Sequence, residues 1–167
     1  IFAVPGGISV AGANNVVEKN KLTDLTNAGI FALGPGGTST YRKNTITRAA
    51  IAGIRAANAG DTFEKNTVKE SNGDGLVVVG DGNQFLGNKV SAPTGTGVRV
   101  SAGADGNTFT GTAVSKAGTD GFLVQGGGNT FTKAKASKSG GLDLNDPAEG
   151  ATTNVYTDCK FATSNVP

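Results

Sequence analysis

The sequence predicts an all-β fold, a parallel β-solenoid (β-helix) of about seven coils with ~22–24 residues per coil and little or no helix. Three observations carry the prediction. A Gly-apolar-x-apolar motif recurs seven times along the chain. A second motif, aromatic-x-x-Asn-x-apolar, lies between its copies and keeps the same period. Within both motifs the apolar residues alternate, as in strands with one buried face, and Gly, Asn, Asp and Ser separate the segments. No window carries a sustained apolar stripe of helical period.

The first motif reads Gly7-Ile8-Ser9-Val10, Gly29-Ile30-Phe31-Ala32, Gly53-Ile54-Arg55-Ala56 and Gly75-Leu76-Val77-Val78, then Gly97-Val98-Arg99-Val100, Gly121-Phe122-Leu123-Val124 and Gly141-Leu142-Asp143-Leu144. Its first apolar residues are 22, 24, 22, 22, 24 and 20 residues apart. The second motif starts at Val17, Tyr41, Phe63, Phe85, Phe109, Phe131 and Tyr156, usually with Asn two residues earlier, at spacings of 24, 22, 22, 24, 22 and 25. A unit of this size cannot bury its own apolar face; stacking the units does. Coils pairing at about 4.8 Å make a rod about 34 Å long. A leucine-rich repeat of similar period needs Leu at fixed offsets and a helical segment per unit, and neither is present.

Stacking converts motifs into columns. Ile8, Ile30, Ile54, Leu76, Val98, Phe122 and Leu142 are expected to form an internal apolar column. Tyr41, Phe63, Phe85, Phe109, Phe131 and Tyr156, preceded by Val17, form an aromatic one with its rings offset-stacked along the axis. Asn20, Asn44, Asn66 and Asn88 align at a turn, where Asn tolerates left-handed backbone and its amide can bond the next coil. The ladder lapses at Thr112, Ala134 and Cys159, so Cys159 reads as a small turn residue. Glu18, Arg42 and Glu64 share an outward position, where alternating charge is mildly favourable. Lys116, Lys133, Lys135, Lys138 and Lys160 give the last coils a basic patch, read as a solvated face or a contact for an acidic polysaccharide or a neighbouring subunit.

From Gly7 to about Phe161 this pattern resembles the right-handed parallel β-helix superfamily, which includes pectate lyases and the NosD-type periplasmic repeat proteins. The resemblance implies right-handed coiling. It leaves function open, because the superfamily hosts lyases, hydrolases, epimerases, adhesins and tailspikes. The lyases hold calcium in a carboxylate cluster, with an Arg or Lys base on the same outer face. Here the outward column beside the Gly-Ile strand reads Ser9, Phe31, Arg55, Val77, Arg99, Leu123 and Asp143, with Asp143 alone. Asp74 and Asp120 share a turn but stand two coils apart, with Thr96 between them. Asp81 and Asp105, in successive coils, are the one close like pair and the weak metal candidates. Paired carboxylates for glycoside hydrolysis do not emerge. No catalytic residue and no cofactor is assigned, and the reading leans away from an enzyme.

Composition agrees with a light, turn-rich solenoid. The chain has 167 residues, 27 of them Gly, one Cys, and no His, Met or Trp. The absence of His removes the commonest general base and zinc ligand. Net charge is +2, each half carrying +1 when the chain is split at Asn83, so no basic arm points to nucleic acid. No apolar run reaches the ~18 residues of a membrane span. The organisation expected is a single domain over 1–167: an extended segment at 1–6, coils at 7–161 and a tail at 162–167. The start at Ile1 is read as that of a mature secreted chain, extracellular or at the cell surface. No caps are evident, and open strand edges recruit other chains. Ile1, Phe2, Val4, Phe31, Val77, Leu123 and Phe161 are therefore the candidate assembly contacts. The function expected is a structural subunit that self-assembles, head to tail, into a filament or surface layer. The alternative is a cap-less fragment of a polysaccharide-acting lyase or epimerase, or of an adhesin.

Overall fold

A computed structural model describes residues 6–34, 38–147 and 153–166. Three seven-stranded parallel sheets wrap around one core, and among the described residues there is no helix. Sheet A takes the Gly-apolar strands Ile8–Ala11, Ile30–Leu33, Ala52–Ala56, Asp74–Val78, Val98–Val100, Phe122–Val124 and Leu144–Asn145. Sheet B takes the aromatic strands Val16–Glu18, Thr40–Arg42, Thr62–Glu64, Gln84–Leu86, Thr108–Thr110, Thr130–Thr132 and Val155–Thr157. Sheet C takes Lys21–Leu25, Thr45–Ala49, Thr67–Lys69, Lys89–Ser91, Ala113–Ser115, Lys135–Ser137 and Lys160–Phe161. Each coil runs A, B, C, and each strand pairs with its counterparts in the coils before and after. The expected contacts Ile1, Phe2 and Val4 lie outside the described residues.

The register is regular. From the central residue of a sheet B strand to that of the following sheet C strand is 5 residues in every coil, and from there to the leading apolar residue of sheet A is always 8. All length variation falls in the turn from A to B, where the interval is 9, 11 or 12. This corrects the seventh coil. Leu144, and not Leu142, pairs with Phe122, and Asn145, and not Asp143, faces outward beside Leu123. The Gly141-Leu142 dipeptide imitates the motif two residues early. Asp143 takes the place that Gly holds in earlier coils, and its carboxylate accepts the N–H groups of Ser139 and Ala162.

Strand pairing fixes the core. Hydrogen-bonded strands sit about 4.8 Å apart, so rings on equivalent residues must meet face to face. From Tyr41 through Phe63, Phe85, Phe109 and Phe131 to Tyr156 the ring centroids are 4.6–5.0 Å apart and the planes lie within 15° of parallel. Phe122 closes on the stack edge-on to Phe131. Opposite the rings lie the apolar columns of sheet A and the buried Ile46, Val68, Val90 and Val114 of sheet C.

The glycine of the first motif serves this core. A Cβ on Gly75 would come within 2.2 Å of a Val90 methyl and 2.6 Å of the Gly97 carbonyl oxygen; Gly53 and Gly97 are crowded in the same way. Sheet C of each coil occupies the volume that a sheet A side chain would need. Turn conformation, the role expected of the small residues, falls to glycine in the A–B turn, where Gly12, Gly34, Gly60, Gly82, Gly103, Gly106 and Gly128 have positive φ. In the B–C turn Lys19, Lys43, Lys65, Lys133 and Asp158 adopt left-handed backbone with φ of 51–57°, and only Gly87 and Gly111 relieve the Cβ penalty there.

Two polar ladders flank the ring stack. In the first, the backbone N–H and side-chain Nδ2 of Asn20 both donate to Asn44 Oδ1, those of Asn44 to Asn66 Oδ1, and those of Asn66 to Asn88 Oδ1. At Cys159 the thiol takes over the contact to a carbonyl of the coil before, lying 3.4 Å from Phe131 O. The second ladder stands at the A–B turn and spans all seven coils. The N–H of Asn15 donates to Ser39, Ser39 to Asp61, Asp61 to Asn83, Asn83 to Asn107, Asn107 to Asn129 and Asn129 to Asn154, always onto a side-chain oxygen.

Asp61 breaks the pattern of the second ladder. Its Oδ1 accepts Ser39 N–H, but its Oδ2 is buried without a partner, as are the Asn58 amide and the Tyr41 hydroxyl. Burial raises the Asp61 carboxyl above its ordinary value and, with the Asp61 charge second, pushes the Tyr41 phenol up to about 12.

Two outcomes are expected. Gly75→Ala destabilises the protein by about 1–3 kcal/mol through overpacking, measured by urea denaturation. Adding Val90→Ala does not restore it, because the Gly97 carbonyl still blocks the new methyl. For Asp61 the folded carboxyl binds its proton more tightly than the unfolded one. Its contribution therefore favours folding at low pH and declines as pH rises from the unfolded value through the raised folded value. Asp61→Asn supplies the side chain used in later coils. Unfolding midpoints at pH 4 and pH 7 should show the variant gaining more at pH 7, and an equal gain at both would refute the assignment.

Candidate functional site

The outer face of sheet A is where the resemblance to the lyases would place a carboxylate cluster. Its column runs Ser9, Phe31, Arg55, Val77, Arg99, Leu123 and Asn145. Arg55 places its guanidinium carbon 5.4 Å from the centroid of the Phe31 ring. Arg99 ion-pairs with Asp74 at 2.8 Å. The Nε atoms of both arginines are buried, so the side chains lie along the sheet, on the two strands that flank Val77. Val77 is only 9% exposed, and Phe31 and Leu123 are half-buried. The open apolar stripe expected here is largely covered.

The carboxylates are engaged with backbone. Asp74 Oδ1 accepts Thr96 N–H at 2.8 Å. Asp120 accepts Leu142 N–H and the Asn145 amide. Asp81 Oδ1 accepts Asp105 N–H at 2.9 Å, and Asp105 Oδ1 accepts Gly127 N–H at 2.7 Å. Asp81 and Asp105 thus form a short ladder of their own in exposed turns. Among the described residues no three His, Cys, Asp or Glu side chains converge on a point where they could hold a metal ion. Burial raises the Cys159 thiol above its ordinary value and so suppresses the nucleophilic thiolate. On sheet B, Arg42 Nε bonds Glu18 at 2.6 Å, while Glu64 turns to its neighbour Lys65.

Among the described residues the first strand of each sheet pairs on one side only, and Ile8, Val10, Val17 and Leu22 there are partly buried. At the other end the tail starts a further rung on sheet A: Leu144 N–H donates to Thr163 O, and Leu144 and Ser164 form a parallel bridge. The last strands of sheets B and C pair on one side only. Between them lies a cavity of about 380 Å³ lined by Leu144, Tyr156, Asp158, Cys159, Phe161, Ser164 and Val166. Phe161 is half-buried there, edge-on to Phe122 and Tyr156. Tyr156 donates its hydroxyl to Asp146 at 2.7 Å.

Sheet C presents the chain's other distinctive surface. Its outward columns read Lys21, Thr45, Thr67, Lys89, Ala113, Lys135, Lys160 and Thr23, Thr47, Lys69, Ser91, Ser115, Ser137. The left-handed turn before the sheet adds Lys19, Lys43, Lys65 and Lys133, and the left-handed turn after it adds Arg48, Lys116 and Lys138. Every lysine in the chain is on this wall or its two borders. Arg42, Arg55 and Arg99 stand elsewhere. Asp24 and Glu70, two of the few acids on the wall, are held by Arg48. The basic patch read from Lys116, Lys133, Lys135, Lys138 and Lys160 is the end of this larger surface. Halving the chain at Asn83 conceals it, since each coil contributes to the same wall. Grouping charges by position within the repeat exposes it.

A protein-family model described as a right-handed β-helix region matches the chain twice, over residues 5–114 and 52–166. Among curated proteins none matches.

Proposed function

The chain belongs to the right-handed β-helix family, and from that premise we propose that it is a structural solenoid subunit that stacks head to tail into a filament or surface layer, outside the cell or on its surface. The supporting observation is the complementarity of the two described ends. Each exposes one-sided strand edges, whose N–H and C=O groups favour further strand pairing, beside half-buried apolar side chains.

The ladders give such stacking a direction. Each N–H donates to the side-chain oxygen of the coil after it. The first ladder's side-chain acceptors stop at Asn88, but the second runs unbroken among the described residues, from Asn15, whose Oδ1 is an open acceptor at one end, to Asn154, whose N–H donates to no later coil at the other. A second copy set on axis at the coil spacing brings the two together, sets Val17 against the Tyr156 ring and continues sheets B and C, while on sheet A its first strand takes the place of the tail's bridge at Ser164. Such a contact is heterologous, does not close, and grows as an open fibre.

Sedimentation and negative-stain microscopy test this reading. The pure chain should form rods whose length rises with concentration in steps of about 34 Å, seven coils at about 4.8 Å. Leu22→Lys and Phe161→Asp, one at each end, should leave single short rods. A wild-type protein that stays one rod long as concentration rises would overturn the proposal.

A further inference from the structure

We infer that the lysine wall of sheet C is a binding surface for a linear acidic polysaccharide laid along the solenoid axis. The inference stands apart from end-to-end stacking, since the wall is lateral and leaves both ends free.

Charge is the first argument. Lys135 and Lys160 are direct Cα partners on adjacent strands, and like charges so placed repel. Lys69, Lys89, Lys133, Lys135 and Lys160 form no ion pair among the described residues. Asp74, Asp81, Asp105 and Asp120 accept backbone N–H groups on other faces and Arg48 holds Asp24 and Glu70, so Asp158, beside Lys133, Lys135 and Lys160, is one carboxylate facing three cations. A polyanion supplies the missing countercharge along the whole row.

Shape and chemistry select the class of polyanion. The wall is hollowed into a trough of about 510 Å³ over the later coils. Its lining carries Ser91, Ser115 and Ser137 in register on consecutive coils, beside Lys89 and Lys135 and around Val90, Ala113 and Val114. Hydroxyls recurring at about 4.8 Å, with cations about 10 Å apart on alternate coils, match a chain of sugar rings that carries hydroxyls on every unit and acid groups at intervals. Single-stranded nucleic acid requires aromatic platforms for its bases, and the rings described above are spent inside the core. The large exposed apolar residues, Val16, Ile51, Val79 and Val155, lie off the wall, so it has no apolar anchor for a lipid surface.

The test measures retention on immobilised polygalacturonate and dextran sulfate across a salt series. Wild type should bind at low salt and elute with rising ionic strength. The triple variant Lys89→Gln, Lys135→Gln, Lys160→Gln should lose affinity about tenfold or more and show a shallower salt dependence. A control with the same change in net charge on sheet B, Val16→Glu, Gln84→Glu, Val155→Glu, should bind as wild type does. Circular dichroism checks that each variant is folded. Three results would overturn the inference: no binding of wild type to either polysaccharide, equal loss in the control, or equal or tighter binding to polydeoxythymidine or anionic vesicles. Sedimentation of the double variant Lys89→Gln, Lys135→Gln, whose two sites lie on interior strands, separates this outcome from the fate of the stacking proposal, because it leaves the end strands intact.

Discussion

The spacing between hydrogen-bonded parallel strands, about 4.8 Å, governs the whole molecule. Backbone pairing sets it, and every side chain at an equivalent position inherits it. An aromatic ring must stack on its counterpart, an asparagine must meet an asparagine, and a lysine must face whatever the next coil offers. The same distance is favourable for the first two and unfavourable for the third. Residues that tolerate self-contact are therefore placed inside and at the ladders, and those that do not are left where solvent or a ligand can answer them. The glycine column follows from the same packing, since sheet C of each coil fills the volume in front of sheet A.

Much of this was legible in the sequence. The period, the apolar alternation and the Asn column of Asn20, Asn44, Asn66 and Asn88 lead directly to the strands, the ring stack and the first ladder. What escaped did so for definable reasons. The second ladder contains Ser39 and Asp61 among its asparagines, so it reads as part of a strand motif until six successive side chains, from Ser39 to Asn154, are seen each accepting the backbone N–H of the coil before. Leu142 satisfied a local pattern, while the constant interval from sheet C to sheet A required Leu144. The lysine wall was invisible to charge counted along the chain, because a solenoid sorts charge around its circumference.

The carboxylates carry a related lesson. Asp81, Asp105, Asp74 and Asp120 look available in the sequence, yet each accepts a backbone N–H from the following coil. A turn in a stacked coil leaves donors pointing along the axis, and a short acidic side chain satisfies them as an asparagine does. Acidic residues at solenoid turns thus serve as hydrogen-bond caps before they serve as ligands or acids, and their chemistry is judged by what remains unengaged.

The confinement of length variation to one of the three turns has its own consequence. A strand side chain changes face with every single-residue shift, so an insertion in the B–C or C–A turn would turn ladder and core residues out of register for the rest of the coil. The A–B turn absorbs two or three extra residues with both its flanking strands still in place. The solenoid therefore has one permissive seam running its length and two that are frozen. Evolution, or an engineer, can hang new loops along that seam, coil by coil, without disturbing the interior or the lysine wall.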